Sequence, residues 1–224
     1  MVEEQGLSED RIDVVYNSVD LEKYRRDDAE RKAFRAAHGI ADDERVFAGL
    51  GEYVYRKAFD VLIRAFAEVS RKQSGLKLML IGGGVEKENY VRLIEELDIA
   101  DRVIMPEKFL ENVRPWLWGS DYYVMPSRGE GFSIALLEVL ATGLPVVVSD
   151  IPPFTEIIEN GVNGLVAVKD DVASFARAME EMHVMDDAKR RSMADISYRM
   201  MEENFTNEAI VRQTVAVYEK ILAR

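Results

Sequence analysis

From Val46 onward the chain alternates apolar runs of strand length with longer stretches of helical periodicity, and no hairpin signal joins one run to the next. Strands connected only through helices have to lie parallel. The fold class is therefore α/β: a Rossmann-like parallel sheet with helices on both faces, which takes ligands beyond the carboxyl ends of its strands. The runs Val46–Leu50, Leu76–Ile81, Val103–Met105, Tyr122–Met125, Pro145–Val148 and Leu165–Val168 read as strands. Between them fall an amphipathic helix with Phe59, Leu62, Ile63 and Phe66 on one face, a helix over Glu88–Leu97, a short segment with Trp116 and Trp118 that packs on the sheet, an apolar helix from about Ser133 to Ala141, and a short helix over Glu156–Glu159. Ahead of these, Ile12–Tyr16 reads as a short strand stopped by the turn pair Asn17-Ser18, and residues 29–40 as a charged helix closed by Gly39 with His38 in a structural place in its last turn. After them, Asp171 caps a helix running through Met182, and two more helices follow near 187–203 and 207–222.

The segment from Tyr122 to Asp150 concentrates the chemistry. Between Glu130 and Asp150 its one ionisable side chain is Glu138, set among Leu136, Leu137, Val139 and Leu140. A helix apolar nearly all round is buried, and an ionised carboxylate there needs a polar partner, elsewhere in the chain or on a ligand. Gly129 and Gly131 let backbone approach a ligand closely, and the free N–H groups after Gly131 make an anion cradle at the helix start.

Glu130 and Glu138, with seven residues between them inside the frame P-S-x-x-E-G-F-S…L-E…A-x-G-x-P, resemble the E-x7-E signature of retaining group 1 glycosyltransferases of the GT-B fold. A second match is E-I-x-x-x-G-x-N-G-L, met by Glu156, Ile157, Gly161, Asn163, Gly164 and Leu165, which look like scaffold beside the site. The resemblance implies a single GT-B C-terminal domain with additional C-terminal helices, and a nucleoside-diphosphate sugar as donor. It implies Glu130 at the donor sugar, the amides of Phe132, Ser133 and Ile134 behind Gly131 on the diphosphate, and Glu138 on the ribose hydroxyls.

The loop G-E-Y-V-Y-R-K-A after the first core strand is similar to the family's G-R-x4-K-G loop, which sets an Arg and a Lys against the diphosphate. Lys57 matches the Lys and, with Glu130, makes the implied catalytic pair; Gly51 opens the loop, Glu52 stands where the Arg would be, and Ala58 replaces the Gly. Exchanging cation for anion moves the charge by two units, each worth roughly 3 kcal/mol at about 6 Å in an effective dielectric near 20. Glu52 therefore either turns away to pair with an arginine such as Arg56 or Arg128, or meets a substrate hydroxyl. Gly82, opening the Gly82-Gly83-Gly84 turn, corresponds to a related G-D-G turn, and Pro106 to Leu110, with Phe109, to the loop whose backbone reads the base. The motif loops at Gly51, Gly82, Pro106 and Ser127 each follow a strand, so they gather on one sheet edge independently of the resemblance.

Asn17 to Asp20 reads NSVD, similar to the family's NGVD at the crossing between its two domains. This divides the chain into residues 1–20, an interdomain-type strand and linker; 21–203, the donor-binding domain; and 204–224, a crossover-type helix whose apolar face (Ile210, Val211, Val215, Tyr218, Ile221) needs a cover. It implies that the acceptor-holding N-terminal domain is supplied outside this sequence, in cis or on a partner chain.

Composition narrows the remaining possibilities. A net charge of −12 argues against nucleic acid as a partner. With no Cys and only His38 and His183, thiolate and His-rich metal sites are excluded, and no metal or other cofactor is expected. No run approaches a membrane span, membrane association is not evident, and the start MVEEQGLSED lacks a signal pattern, which makes the expected compartment cytoplasmic. The expected function is the donor-binding half of a retaining glycosyltransferase, inactive in isolation. The alternative is a non-catalytic nucleotide or nucleotide-sugar binding module; a sugar-nucleotide epimerase would use other acid and base residues.

Overall fold

Six of the apolar runs become the strands of one sheet in the computed structural model, which describes residues 12–106 and 110–223. They are β1 (Arg45–Leu50), β2 (Leu76–Ile81), β3 (Val103–Ile104), β4 (Tyr122–Met125), β5 (Val146–Ser149) and β6 (Leu165–Ala167), all parallel, in the order β3-β2-β1-β4-β5-β6. That order reverses between β1 and β4. The crevice beyond their carboxyl ends is the place where such a sheet takes ligands.

Ten helices surround the sheet among the described residues: α1 (Leu21–Tyr24), α2 (Asp28–Ala37), α3 (Phe59–Lys72), α4 (Lys87–Glu96), α5 (Arg114–Gly119), α6 (Ile134–Ala141), α7 (Pro152–Thr155), α8 (Val172–Val184), α9 (Asp187–Asn204) and α10 (Asn207–Leu222). Side chains alternate across each strand and build two cores. Phe47, Leu78, Leu80, Tyr122, Val124 and Val147 face α3, α4 and α8, while Val46, Ala48, Met79, Tyr123, Met125 and Val148 face α2, α5, α6 and α7. Met179, Met182, Met185, Met193 and Met201 are buried and fill gaps in these cores. Trp116 and Trp118 are buried as packing residues, and His38 stacks on Phe34 at 4.0 Å while its Nδ1 meets the Phe34 carbonyl.

Two expectations are corrected. Ile12–Tyr16 forms no strand: the segment runs extended over the C-terminal helices, with Tyr16 against Phe132 (4.7 Å) and Phe205 (5.8 Å), Asp13 paired with Lys220, and Val19 N–H donating to the Phe205 carbonyl. Tyr16 is taken by aromatic packing rather than by a neighbouring strand, while Ile12, Val14 and Val15 stay exposed. The helix expected over Glu156–Glu159 lies instead at Pro152–Thr155, because Pro152 has its φ preset for a first helical turn, where no N–H is needed.

The amino-end edge of the sheet is held by one carboxylate. Asp121 accepts from Arg31 (2.8 Å), Arg35 (3.2 Å) and the Val46 N–H (2.9 Å), and buried Arg35 also covers the carbonyls of Gly119, Ala41 and Glu44. Removing one partner of such a cluster leaves uncompensated charge in a low-dielectric place. Asp121→Ala is therefore expected to lower the unfolding free energy by about 3–5 kcal/mol in urea titrations; a loss below about 1 kcal/mol would show that the arginines find water instead.

Candidate active site at the β1–β4 crevice

The two loops that flank the reversal point are joined by an ion cluster. After β1 the chain turns at Gly51, passes a short 3-10 turn (Tyr55–Lys57) and enters α3 through Ala58, which takes the left-handed conformation (φ 53°) that its replacement of glycine makes costly. After β4 the loop from Pro126 carries Glu130, whose side chain is 7% exposed. Glu130 Oε1 accepts from Lys57 Nζ (2.7 Å) and Ser127 Oγ (2.8 Å), and Oε2 from Arg56 (2.6 Å). Burial pushes the Glu130 carboxyl up, but Lys57, Ser127 and Arg56 outweigh it and hold the group below its ordinary value.

Arg128 locks the same loops from below. It donates to Asp60 of α3 (2.8 Å), to Asp170 after β6 (2.6 Å) and to the Tyr55 carbonyl (2.6 Å), and lies 4.0 Å over the Tyr55 ring. Its own N–H reaches the Arg56 carbonyl at 2.8 Å. The glycine turn after β2 completes the edge. Tyr53 N–H bonds the Gly83 carbonyl (2.8 Å), and a Cβ on Gly82 would stand 1.9 Å from the Gly51 oxygen, so the two turns interlock only through glycine.

At the start of α6, Ser133 is the N-cap and accepts from the Leu136 N–H. The N–H groups of Phe132, Ser133 and Ile134 make no hydrogen bond within the described residues and, at a helix N-terminus beside exposed Gly131, present an anion cradle. The Phe132 ring is turned inward onto Tyr16 and Phe205, leaving its amide as the part that faces the loop. One turn further, Glu138 is half-buried, and its polar partner is internal: the hydroxyl of Tyr24 from α1 donates to Oε1. That hydrogen bond engages one carboxylate oxygen and leaves Oε2 without a protein donor among the described residues. The Tyr123 hydroxyl donates to the Leu50 carbonyl at the end of β1; burial raises its pKa, that backbone contact lowers it, and the charges of Glu130 and Glu138 raise it further.

At the carboxyl ends of β1 and β2 opens a mostly apolar cleft of ≈ 450 Å³ lined by Leu50, Gly51, Glu52, Gly82, Leu110 and Val113. Glu52 is exposed on its rim and makes no ion pair among the described residues, so the first of its two expected places, pairing with Arg56 or Arg128, is not taken; those arginines are committed to Glu130 and to Asp60 and Asp170. Phe109 lies outside the described residues. The structure thus brings Lys57 and Glu130 into contact, sets Gly51, Glu52 and Gly82 around one cleft, and places Gly131 to Ile134 and Glu138 on the neighbouring loop and helix. Arg56, Arg128 and Tyr24 belong to the site although no spacing marked them; their roles arise from contacts across at least 42 residues of chain. No group of three or more His, Asp or Glu side chains able to hold a metal ion occurs among the described residues. Among them also, no helix is long and apolar enough to cross a membrane.

The chain is a doubly wound parallel α/β domain with a helix N-terminus, two cations and two acids in the loops and helix that follow the strands at its reversal point. The comparisons place it further. The family model for glycosyl transferases group 1 matches residues 30–200, and the chain belongs to that family. It is 34% identical over 191 residues, 80% of its length, to the D-inositol 3-phosphate glycosyltransferase of Nocardia farcinica. The chain spans about half the length of the curated relatives it matches, 41% of that protein and 54% of an N-acetyl-alpha-D-glucosaminyl L-malate synthase from Bacillus anthracis. In fold it is similar to Anabaena HepE in complex with UDP-glucose, with a TM-score of 0.85 at 20% identity, covering 99% of this chain and 60% of that one. The fold is that of a GT-B C-terminal domain.

The charge on Glu130 gives a pH test. Its folded-state pKa lies below the ordinary 4.5, so its contribution to stability is complete above that value and is lost as pH falls through the folded-state pKa. The stability difference between wild type and Glu130→Gln, from urea titrations, is expected to be constant from pH 7 to about 5 and to shrink below it. A difference that grew on acidification would contradict the cluster.

Proposed function

We propose that this chain is the donor-binding half of a retaining glycosyltransferase: it holds a nucleoside-diphosphate sugar whose sugar passes to a hydroxyl acceptor with its anomeric configuration kept. The observation that carries the reading is the contact of Lys57 and Arg56 with Glu130 across the loops after β1 and β4, followed directly by the open amides at the start of α6 and by Glu138 one turn along that helix.

Negative charge builds on the departing diphosphate as the bond to the sugar breaks. The amides of Phe132, Ser133 and Ile134 and the cation of Lys57 meet it without reorganising, and Arg56 supplies the charge that Glu52 does not. Glu130 holds the sugar hydroxyls while orienting both cations, and Glu138 receives a ribose hydroxyl on the oxygen that Tyr24 leaves open. The base lies in the apolar cleft by Leu110, and exposed Glu52 meets a hydroxyl. The reading calls for no metal. The acceptor is held by a complementary domain, in cis or on a partner chain, and the chain by itself binds donor without transferring it. Support comes from the outward face of α10, where Val211, Val215, Tyr218 and Ile221 are each at least 47% exposed. The cytoplasm is the proposed compartment.

Glu52 favours a second reading. An anion on the rim, where relatives of this pattern carry a cation, fits a module that binds nucleotide and performs no chemistry in any assembly.

Calorimetric titration with uridine, guanosine and adenosine diphosphates tests the proposal, starting from uridine because HepE holds UDP-glucose. One of them is expected to bind, and Glu138→Ala to weaken it about ten- to hundredfold, or roughly 1.5–3 kcal/mol for a hydrogen bond to a charged group. No binding by any nucleotide would overturn the reading, and retention of the donor without transfer when the acceptor domain is supplied would favour the module.

A further inference from the structure

The chain carries 41 acidic against 29 basic side chains, yet five arginines surround one hollow at the sheet edge opposite the crevice. There the amino ends of β1 and β4 and the turn before β5 meet the first turns of α9 around a volume of ≈ 340 Å³. Arg26, Arg31, Arg45, Arg190 and Arg191 line it against Asp121 and Asp187, five positive charges less two, an excess of three.

The carboxylates are already in use. Asp121 is taken by Arg31, Arg35 and the Val46 N–H; Asp187 holds Arg190, whose remaining donors cover the Met182 and His183 carbonyls at the end of α8. Arg26 pairs at 2.8 Å with Asp28, which is not among the lining residues. Arg45 is left with contacts of 3.4 and 3.5 Å to the carbonyls of Asp42 and Glu44, and Arg191 makes neither an ion pair nor a hydrogen bond among the described residues. Beside them the Nδ1 of His183 is buried without a partner, and burial, then Arg190 and Arg45, lower the pKa of that imidazole. Like charges crowded into a partly enclosed hollow repel one another unless an anion joins them, and planar guanidinium groups match the oxygens of a phosphate.

We propose that this hollow is a second anion site, taking a phosphate or pyrophosphate group, free or as the head of a larger molecule, with Arg45 and Arg191 as its open donors. It lies across the sheet from the nucleotide crevice and does not depend on that reading.

Inorganic pyrophosphate titrated into the whole chain, followed by calorimetry and by amide and side-chain NMR, tests it. Resonances of Arg45, Arg191 and His183 are expected to move together, and the double variant Arg45→Ser/Arg191→Ser to weaken that event by at least about tenfold, as loss of charge-assisted bonds implies. Lys57→Ala, which acts at the other edge, is expected to leave it in place. Sedimentation with phosphatidylglycerol but not phosphatidylcholine vesicles, lost in the double variant, would support the proposal with a lipid phosphate as the source; pyrophosphate binding without sedimentation would support it with a free one. The proposal is overturned if pyrophosphate does not bind, or if its binding survives in the double variant and disappears in Lys57→Ala.

Discussion

The contact on which the rest of this structure depends is the carboxylate of Glu130 held between Lys57 and Arg56. It joins the loops after β1 and β4, the two strands between which the sheet reverses order, and so fixes the mouth of the crevice. A buried ion pair is a poor device for stability alone, because desolvation consumes most of the attraction. Its use here is positional: it sets two cations and the first amides of α6 around one point, at a place where a folded chain without such a tie would have two independent turns. Arg128 repeats the device one layer deeper, drawing Asp60, Asp170 and the Tyr55 carbonyl onto a single guanidinium.

The charges at the two ends of the sheet contrast. At the carboxyl end, Glu130, Lys57 and Arg56 are paired one against another, and the uncommitted groups are amides, one oxygen of Glu138 and the exposed carboxylate of Glu52. At the amino end, Asp121 is over-subscribed and arginines remain in excess. An acidic chain with a net charge of −12 has therefore placed anion-directed groups on both edges of one sheet while its overall field repels polyanions. Small phosphates reach such sites because their interactions are short-ranged, within roughly the 8 Å screening length of physiological salt.

Much of the fold was legible because burial on both faces writes itself as uninterrupted apolar runs. The bounds of β2 and β4 coincide with Leu76–Ile81 and Tyr122–Met125, and Asp171 caps its helix as expected. Local signals misled where the outcome rested on tertiary partners. Ile12–Tyr16 has the β-branched composition of a strand but is anchored through Tyr16 on Phe132 and Phe205, and the helix expected over Glu156–Glu159 lies instead at Pro152–Thr155. The site divides in the same way. Lys57, Glu130 and Glu138 stand out by type and spacing, whereas Arg56, Arg128 and Tyr24 gain meaning only when distant loops meet. Glu52 is left exposed and unpaired because its two candidate partners are held elsewhere, Arg56 by buried Glu130 and Arg128 by Asp60 and Asp170 together.

A crystal structure of this chain with the best-binding nucleoside diphosphate tests the central claim most directly. The account predicts the diphosphate on the amides of Phe132 to Ile134 with Lys57 beside it, and a ribose hydroxyl on the Glu138 oxygen not engaged by Tyr24. Nucleotide seated away from the β1–β4 crevice, with Glu130 still closed on Lys57 and Arg56 and Glu138 untouched, would contradict it.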